Sequence, residues 1–176
     1  MNIIIRKESR EDLARIKKIN DRAFEQEDES RLVNKLRKKD QFIPELSLVA
    51  ETDEMVVGHI FFYPVKIISA DQKHTTLSLG PMSVLPEHQK KGIGGKLINE
   101  GLSRAKDFGF RSVIVVGHPE YYPKFGFTKA SKWSIKVPFK VPFKVPDEVF
   151  MALEIAEGEL QDKHGIIEYP AEFMEM

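Results

Sequence analysis

The sequence predicts an α/β fold, because strand-like and helix-like segments alternate along the chain. Its 176 residues match one ordinary domain, and 41% of them are hydrophobic, which is enough for a core without disulfides. Apolar residues at helical spacing indicate helices, whereas a continuous apolar run indicates a strand buried on both faces. We therefore expect a single domain over 1–176, with a core at 1–130 and a C-terminal extension at 131–176.

The first half of the chain is predicted to contain two helices and three strands. Ser9 and Asp12 have capping-box spacing, and the helix that follows them carries its apolar face on Leu13, Ile16, Ile19 or Asn20, and Ala23. A second, polar helix covers Glu29–Lys39. The predicted strands are Asn2–Arg6, Leu46–Glu51 and Val56–Ser69, and the last is apolar on both faces, which places it centrally in a sheet.

The second half is predicted to begin with a strand at Thr75–Leu85 that is broken at Gly80–Pro81. Proline cannot donate to a sheet ladder, so this pair predicts a bulge or a separation of strands. A helix at Gly92–Phe108 then ends at Gly109. The later predicted strands are Ser112–Val116, Phe150–Ala156 and Ile166–Tyr169.

The segment from Val137 to Pro146 contains the four-residue unit VPFK twice. In an extended chain Val137, Phe139, Val141, Phe143 and Val145 share one face, and the prolines exclude a helix or a central strand. We expect an extended strip that covers the edge of the core. The alternatives are a wall or lid of a substrate site, or a docking edge for another protein.

The composition excludes several classes of protein. Lys plus Arg and Asp plus Glu are both 27, so the basic excess that nucleic-acid binding usually requires is missing. The absence of cysteine excludes a disulfide framework and a cysteine nucleophile. No metal-ligand spacing, membrane-spanning run or signal peptide is visible. We therefore expect a soluble cytoplasmic protein with no metal and with neither nucleic acid nor membrane as a partner.

The stretch from Gln89 to Lys96 carries the clearest chemical signal. Leu97 stands where a dinucleotide fingerprint needs its third glycine and where a P-loop needs serine or threonine, so neither motif is present. What remains is a Gln-x-x-Gly-x-Gly turn between a strand and a helix. The first amides of a helix and its positive dipole end favour anions, and glycines let a diphosphate approach the backbone. The pattern therefore predicts a phosphate-binding turn.

This turn, after the apolar strand Leu79–Leu85, resembles the acetyl-CoA signature of the GNAT superfamily of N-acetyltransferases. The later element Tyr122-x-x-x-Gly126-Phe127 resembles the second landmark of that family. The tyrosine doublet and the late strand are most similar to the bacterial YhbS-type branch. The resemblance implies a mixed, mostly antiparallel sheet of about six or seven strands with helices on both faces, and acetyl-CoA as cosubstrate.

The resemblance also implies roles for individual residues. Main-chain groups of Met82, Ser83 and Val84 would contact the pantetheine arm, and Tyr122, or its neighbour Tyr121, would be the general acid beside the sulfur. The diphosphate would be held by Gln89, Lys90, Lys91, Gly92, Ile93, Gly94, Gly95 and Lys96.

The implied activity is direct acetyl transfer to a primary amine of a small molecule or peptide, by a monomer or homodimer. The alternative is an inactive acyl-CoA-binding module with a regulatory or interaction role. The sequence leaves the general base open among His118, Glu120, His59 and Glu87.

Overall fold

The computed structural model describes residues 1–141 and 144–175, and it confirms the α/β class. The helices are α1 (Leu13–Phe24), α2 (Asp28–Leu36) and α3 (Ile93–Asp107). The strands are β1 (Ile4–Lys7), β2 (Ser47–Thr52), β3 (Met55–Ile68), β4 (Lys73–Val84), β5 (Ser112–Val116), β6 (Thr128–Lys129), β7 (Ile135–Lys136), β8 (Phe150–Glu154) and β9 (Gly165–Glu168).

The three helices flank a mixed sheet whose hydrogen-bonded order is β1-β2-β3-β4-β5-β8-β6, with β9 pairing with both β3 and β7. The β4–β5 and β7–β9 pairs are parallel, and the pairs β1–β2, β2–β3, β3–β9, β5–β8 and β6–β8 are antiparallel.

All three predicted helices and all seven predicted strands are found, with bounds shifted by a few residues. The sheet has nine strands in the described chain rather than six or seven, because the two-residue strands β6 and β7 were not predicted. The strand itself is not broken at Gly80–Pro81, since β4 continues through that pair. The predicted separation of strands is confirmed, because the ladder between β4 and β5 ends just before the pair, at Leu79 opposite Val115.

The chain divides into two compact units, and the first contains residues 1–63 and 80–104. In this unit α3 lies very close to β3 at two glycines. A Cβ atom on Gly101 would lie 2.3 Å from the Phe62 ring, and one on Gly58 would lie 3.2 Å from Leu97. Phe62 and Leu97 are fully buried. This close packing fixes the start of α3 against the sheet.

The second unit contains residues 64–79 and 105–176 and has its own apolar core. In this unit, the end of α3 is closed by Gly109, which has a φ of 85°. Its N–H donates to the Lys106 carbonyl and the N–H of Phe110 donates to the Ala105 carbonyl, the pair of bonds that defines a Schellman motif. The buried core of the unit consists of Val65, Ile67, Ile114, Ala130, Ile135, Phe150, Ala152, Leu160 and Ile167.

The VPFK segment is not the uniform extended strip that the alternation predicted. Val137 and Val145 do pack against the core of the second unit. Between them, the N–H of Val141 donates to the Pro138 carbonyl at 3.4 Å, so the chain turns and leaves Phe139 fully exposed. Pro142 and Phe143 lie outside the described residues. Across 1–141 and 144–175, no helix is both long and apolar enough to cross a bilayer.

Candidate active site

The turn between β4 and α3 presents unpaired backbone amides. Lys90 has a φ of 62° and Gly92 a φ of 82°, so the chain reverses sharply before Ile93. The N–H of Lys96 donates to the Gly92 carbonyl at 3.2 Å, and α3 starts from that bond. The amides of Ile93, Gly94 and Gly95 therefore precede the first backbone hydrogen bond of the helix and are available to an anion.

The charge around this phosphate turn, which we define as residues 89–96, is positive. Lys90, Lys91 and Lys96 are exposed. The nearby carboxylate of Glu87 is held by both terminal nitrogens of Arg22, at 2.9 and 3.0 Å, and these hydrogen bonds keep its pKa below the ordinary range. Free amides with exposed lysines suit a diphosphate, and the Glu87 carboxylate next to the turn is already paired with Arg22.

Gln89 ties the phosphate turn to the end of β4. Its Nε2 donates to the Val84 carbonyl at 3.0 Å, while its backbone N–H donates to the Pro86 carbonyl at 3.3 Å. The structure thus brings together two predicted groups, the diphosphate-binding turn and the strand segment Met82–Val84.

Met82 is partly exposed, whereas Ser83 and Val84 are buried. The Ser83 hydroxyl donates to Oδ1 of Asn20 on α1 at 2.7 Å. Asn20 is completely buried, and its Nδ2 has no hydrogen-bond partner in the described chain. The sequence predicts Asn20 only as an alternative to Ile19 on the apolar face of the first helix. A polar residue at a position where the spacing predicts an apolar one was the signal that could have identified it.

The two tyrosines of the second landmark differ in burial. Tyr122 is 7% exposed and begins a short 3-10 turn, Tyr122–Phe125. A Cβ on Gly117 would lie 2.3 Å from its ring, and the Phe127 ring packs edge-on at 5.6 Å. Tyr121 is only half-buried and lies edge-on to Tyr122 at 5.3 Å. Burial raises the pKa of both phenols, more strongly for Tyr122, so Tyr122 is the better fixed hydrogen-bond donor.

The four candidate bases lie in very different surroundings. His59 is fully buried, its Nε2 is 3.0 Å from the Ser47 hydroxyl, and burial together with the charge of Arg37 lowers its pKa to about 3. With its pKa lowered this far, His59 is too weak a base to take a proton from an acceptor amine. Glu87, His118 and Glu120 are all exposed, but the Glu87 carboxylate is paired with Arg22. His118 and Glu120 are therefore the more accessible candidates.

Comparison with known proteins identifies the family. Residues 4–130 match the family model "Acetyltransferase (GNAT) domain". The Escherichia coli protein "Uncharacterized N-acetyltransferase YhbS" is 30% identical over 86% of this chain and 87% of its own length. Another E. coli protein, "Uncharacterized N-acetyltransferase YjhQ", is 35% identical over 66% of this chain, and the match spans 64% of its own length.

Two solved structures resemble this chain over 98% of its length. The crystal structure of E. coli YhbS in complex with CoA has a TM-score of 0.87 and 29% identity, and 92% of that chain is covered. A GNAT family acetyltransferase from Brucella melitensis in complex with acetyl-CoA has a TM-score of 0.77 and 34% identity, and 98% of that chain is covered.

Proposed function

This chain belongs to the GNAT acetyltransferase family, and we propose that it transfers the acetyl group of acetyl-CoA directly to a primary amine of a small molecule or peptide. The observation that carries the proposal is the set of free amides at Ile93, Gly94 and Gly95, which follow a turn rich in exposed lysine. The CoA and acetyl-CoA complexes of the two similar structures support it.

The phosphate turn would hold the diphosphate, using its amides and the charges of Lys90, Lys91 and Lys96. The main chain of Met82–Val84 would run beside the pantetheine arm, as an added strand does in a sheet. Gln89 would keep these two parts in register, because it already joins the turn to Val84. The thioester would then lie near the end of β4.

An amine of the lysine type has a pKa of about 10.4 in water, so the reaction must begin with loss of a proton. The free amine attacks the thioester carbonyl, and a backbone N–H near Val84 would stabilise the oxyanion that forms. Collapse of the tetrahedral intermediate releases the CoA thiolate. No covalent enzyme intermediate is needed.

Tyr122 would donate a hydrogen bond to the departing sulfur. Its raised pKa keeps the phenol protonated throughout the ordinary working range of pH. Burial against Gly117 and Phe127 limits its motion, so the donor is oriented before the reaction begins.

The test is thiol release from acetyl-CoA with a panel of polyamines, amino acids, aminoglycosides and peptides, for wild type and two single variants. We expect Tyr122→Phe to lower kcat by roughly 100-fold, the lower end of the usual contribution of an acid or base. The affinity for acetyl-CoA should change little, because the phenol acts mainly in the transition state. Tyr121→Phe is the matched control and should stay within about threefold of wild type.

Turnover by wild type that both variants retain would overturn the role of Tyr122 and leave the activity standing. Binding of acetyl-CoA by wild type without turnover on any amine would instead favour the inactive acyl-CoA-binding module. Absence of acetyl-CoA binding, judged by calorimetry and thermal shift, would overturn the proposed function as a whole.

A further inference from the structure

The contact between α1 and β4 contains a polar side chain whose hydrogen bonding is incomplete. Asn20 has no exposed surface, and its Oδ1 accepts the hydrogen bond from Ser83. Its Nδ2, with two N–H groups, meets no acceptor anywhere in residues 1–141 and 144–175. Burying an amide without a partner is unfavourable, whereas leucine has nearly the same shape and no such requirement. An acceptor that arrives with a ligand would satisfy this buried donor.

The neighbours of Asn20 indicate which ligand this is. Ser83 stands between Met82 and Val84 in the strand segment assigned above to the pantetheine arm. Two residues further along α1, the guanidinium of Arg22 donates two hydrogen bonds to the carboxylate of Glu87, which lies just before the phosphate turn. The C-terminal end of α1 is thus joined to both parts of the proposed CoA site, by a buried bond at Ser83 and an exposed one at Glu87.

We propose that Asn20 is a contact residue for acyl-CoA, whose Nδ2 donates a hydrogen bond to an oxygen of the acyl-pantetheine arm. This inference rests on the proposed function, since it needs the arm to lie along Met82–Val84. The arm offers two amide carbonyls and the thioester carbonyl, all uncharged acceptors that suit an uncharged donor. The nucleotide half of the ligand belongs to the phosphate turn and would not use Asn20.

The decisive variant is Asn20→Leu/Ser83→Ala, which removes both hydrogen-bonding partners together. Replacing a buried polar pair by apolar groups of similar shape leaves no unpaired group, so we expect thermal stability at or above that of wild type. Calorimetry is done with two ligands: acetyl-CoA, and 3′-phosphoadenosine 5′-diphosphate, which is coenzyme A without the arm. We expect about tenfold weaker binding of acetyl-CoA, the loss of one hydrogen bond, and unchanged binding of the nucleotide.

Two further variants locate the effect. Ser83→Ala alone measures what loss of the Ser83 hydroxyl does to binding, and the double variant should bind acetyl-CoA more weakly than this single variant. Ile19→Val, one residue from Asn20 and equally buried, changes only packing and should leave the ratio of the two affinities unchanged. If the double variant does not fold, the test is done with Asn20→Leu alone. We expect this variant to lose affinity for acetyl-CoA and to bind the nucleotide as wild type does.

Wild-type affinity of the double variant for acetyl-CoA would overturn the inference and reduce Asn20 to a packing residue or a site for a buried water. Equal weakening of both ligands would overturn it too, because a general distortion would then explain the loss. Failure of wild-type protein to bind acetyl-CoA is a different result, since it removes the proposed function on which the inference stands.

Discussion

Gly117 and Tyr122 show how a single glycine makes room for the side chain that we propose as the general acid. The phenol ring occupies the space that a Cβ on residue 117 would fill, and Phe127 closes its other side. The sequence indicated that one of two adjacent tyrosines had a role, but the pattern gave no means of choosing between them. The choice depends on this tertiary contact, which joins residues that no local periodicity relates.

His59 is the other residue whose environment matters more than its position in the sequence. It is fully buried on β3, and Arg37, which pairs with Glu8 at 2.8 Å, adds a positive charge that disfavours protonation. The folded protein therefore holds His59 neutral down to a pH of about 3, whereas an unfolded histidine titrates near 6.5. Between these values the unfolded chain binds more protons, so the contribution of His59 to stability rises with pH.

We predict that the free energy of unfolding falls by about 2 kcal/mol between pH 7.5 and pH 5.0 because His59 must remain neutral in the folded state. Urea denaturation at the two pH values measures the change. His59→Gln should lose most of this pH dependence, whatever it costs at pH 7.5, while His164→Gln at an exposed position should keep it. A wild-type pH dependence in His59→Gln would contradict the prediction.

At the scale of elements, the close approach of α3 to β3 depends on Gly101 and Phe62. The phosphate turn runs into the first residues of α3, so the packing of this helix also positions the proposed anion site. A glycine inside a helix normally lowers stability relative to alanine, by up to about 1 kcal/mol. Here the missing Cβ makes room for a fully buried aromatic ring, which outweighs that gain.

We predict that Gly101→Ala destabilises the protein by about 2 kcal/mol, because overpacking against Phe62 exceeds the gain in helix propensity. Ser103→Ala, at an exposed position on the same helix, should be neutral or slightly stabilising. In a double-mutant cycle by urea denaturation, Phe62→Leu should remove most of the cost of Gly101→Ala. Additive effects of the two substitutions would show that the steric explanation is wrong.

The helices and longer strands were predictable because each carries its own apolar spacing and stop signal, as Gly109 does for α3. The phosphate turn was predictable for the same reason, since glycines and a helix start are local features. The strands β6 and β7 were not, because two residues have no period and depend on pairing with β8 and β9. The turn at Pro138–Val141 was missed because alternation describes spacing and not backbone path. The role proposed for Asn20 could not be predicted either, because it depends on contact with a residue 63 positions away.

At the scale of the whole molecule, the formal charge is zero, with 27 basic and 27 acidic residues. A neutral chain has little long-range field to steer a polyanion, so attraction for CoA phosphates must come from the local excess of lysine at the phosphate turn. Charges elsewhere on the chain should then have little effect on the salt dependence of acetyl-CoA binding. Substituting lysines inside and outside the phosphate turn therefore distinguishes an effect of local charge from an effect of net charge.

We predict that acetyl-CoA binds about three- to tenfold more weakly at 0.5 M than at 0.05 M NaCl, because salt screens the exposed lysines of the phosphate turn. Lys90→Gln/Lys91→Gln should weaken binding at low salt and flatten this dependence. Lys18→Gln/Lys38→Gln changes the total charge equally at two other exposed positions and should retain the wild-type dependence. Calorimetric titration of the three proteins at both salt concentrations distinguishes the explanations. Equal flattening in both variants would mean that total charge governs binding, and the phosphate turn would then lose its electrostatic role.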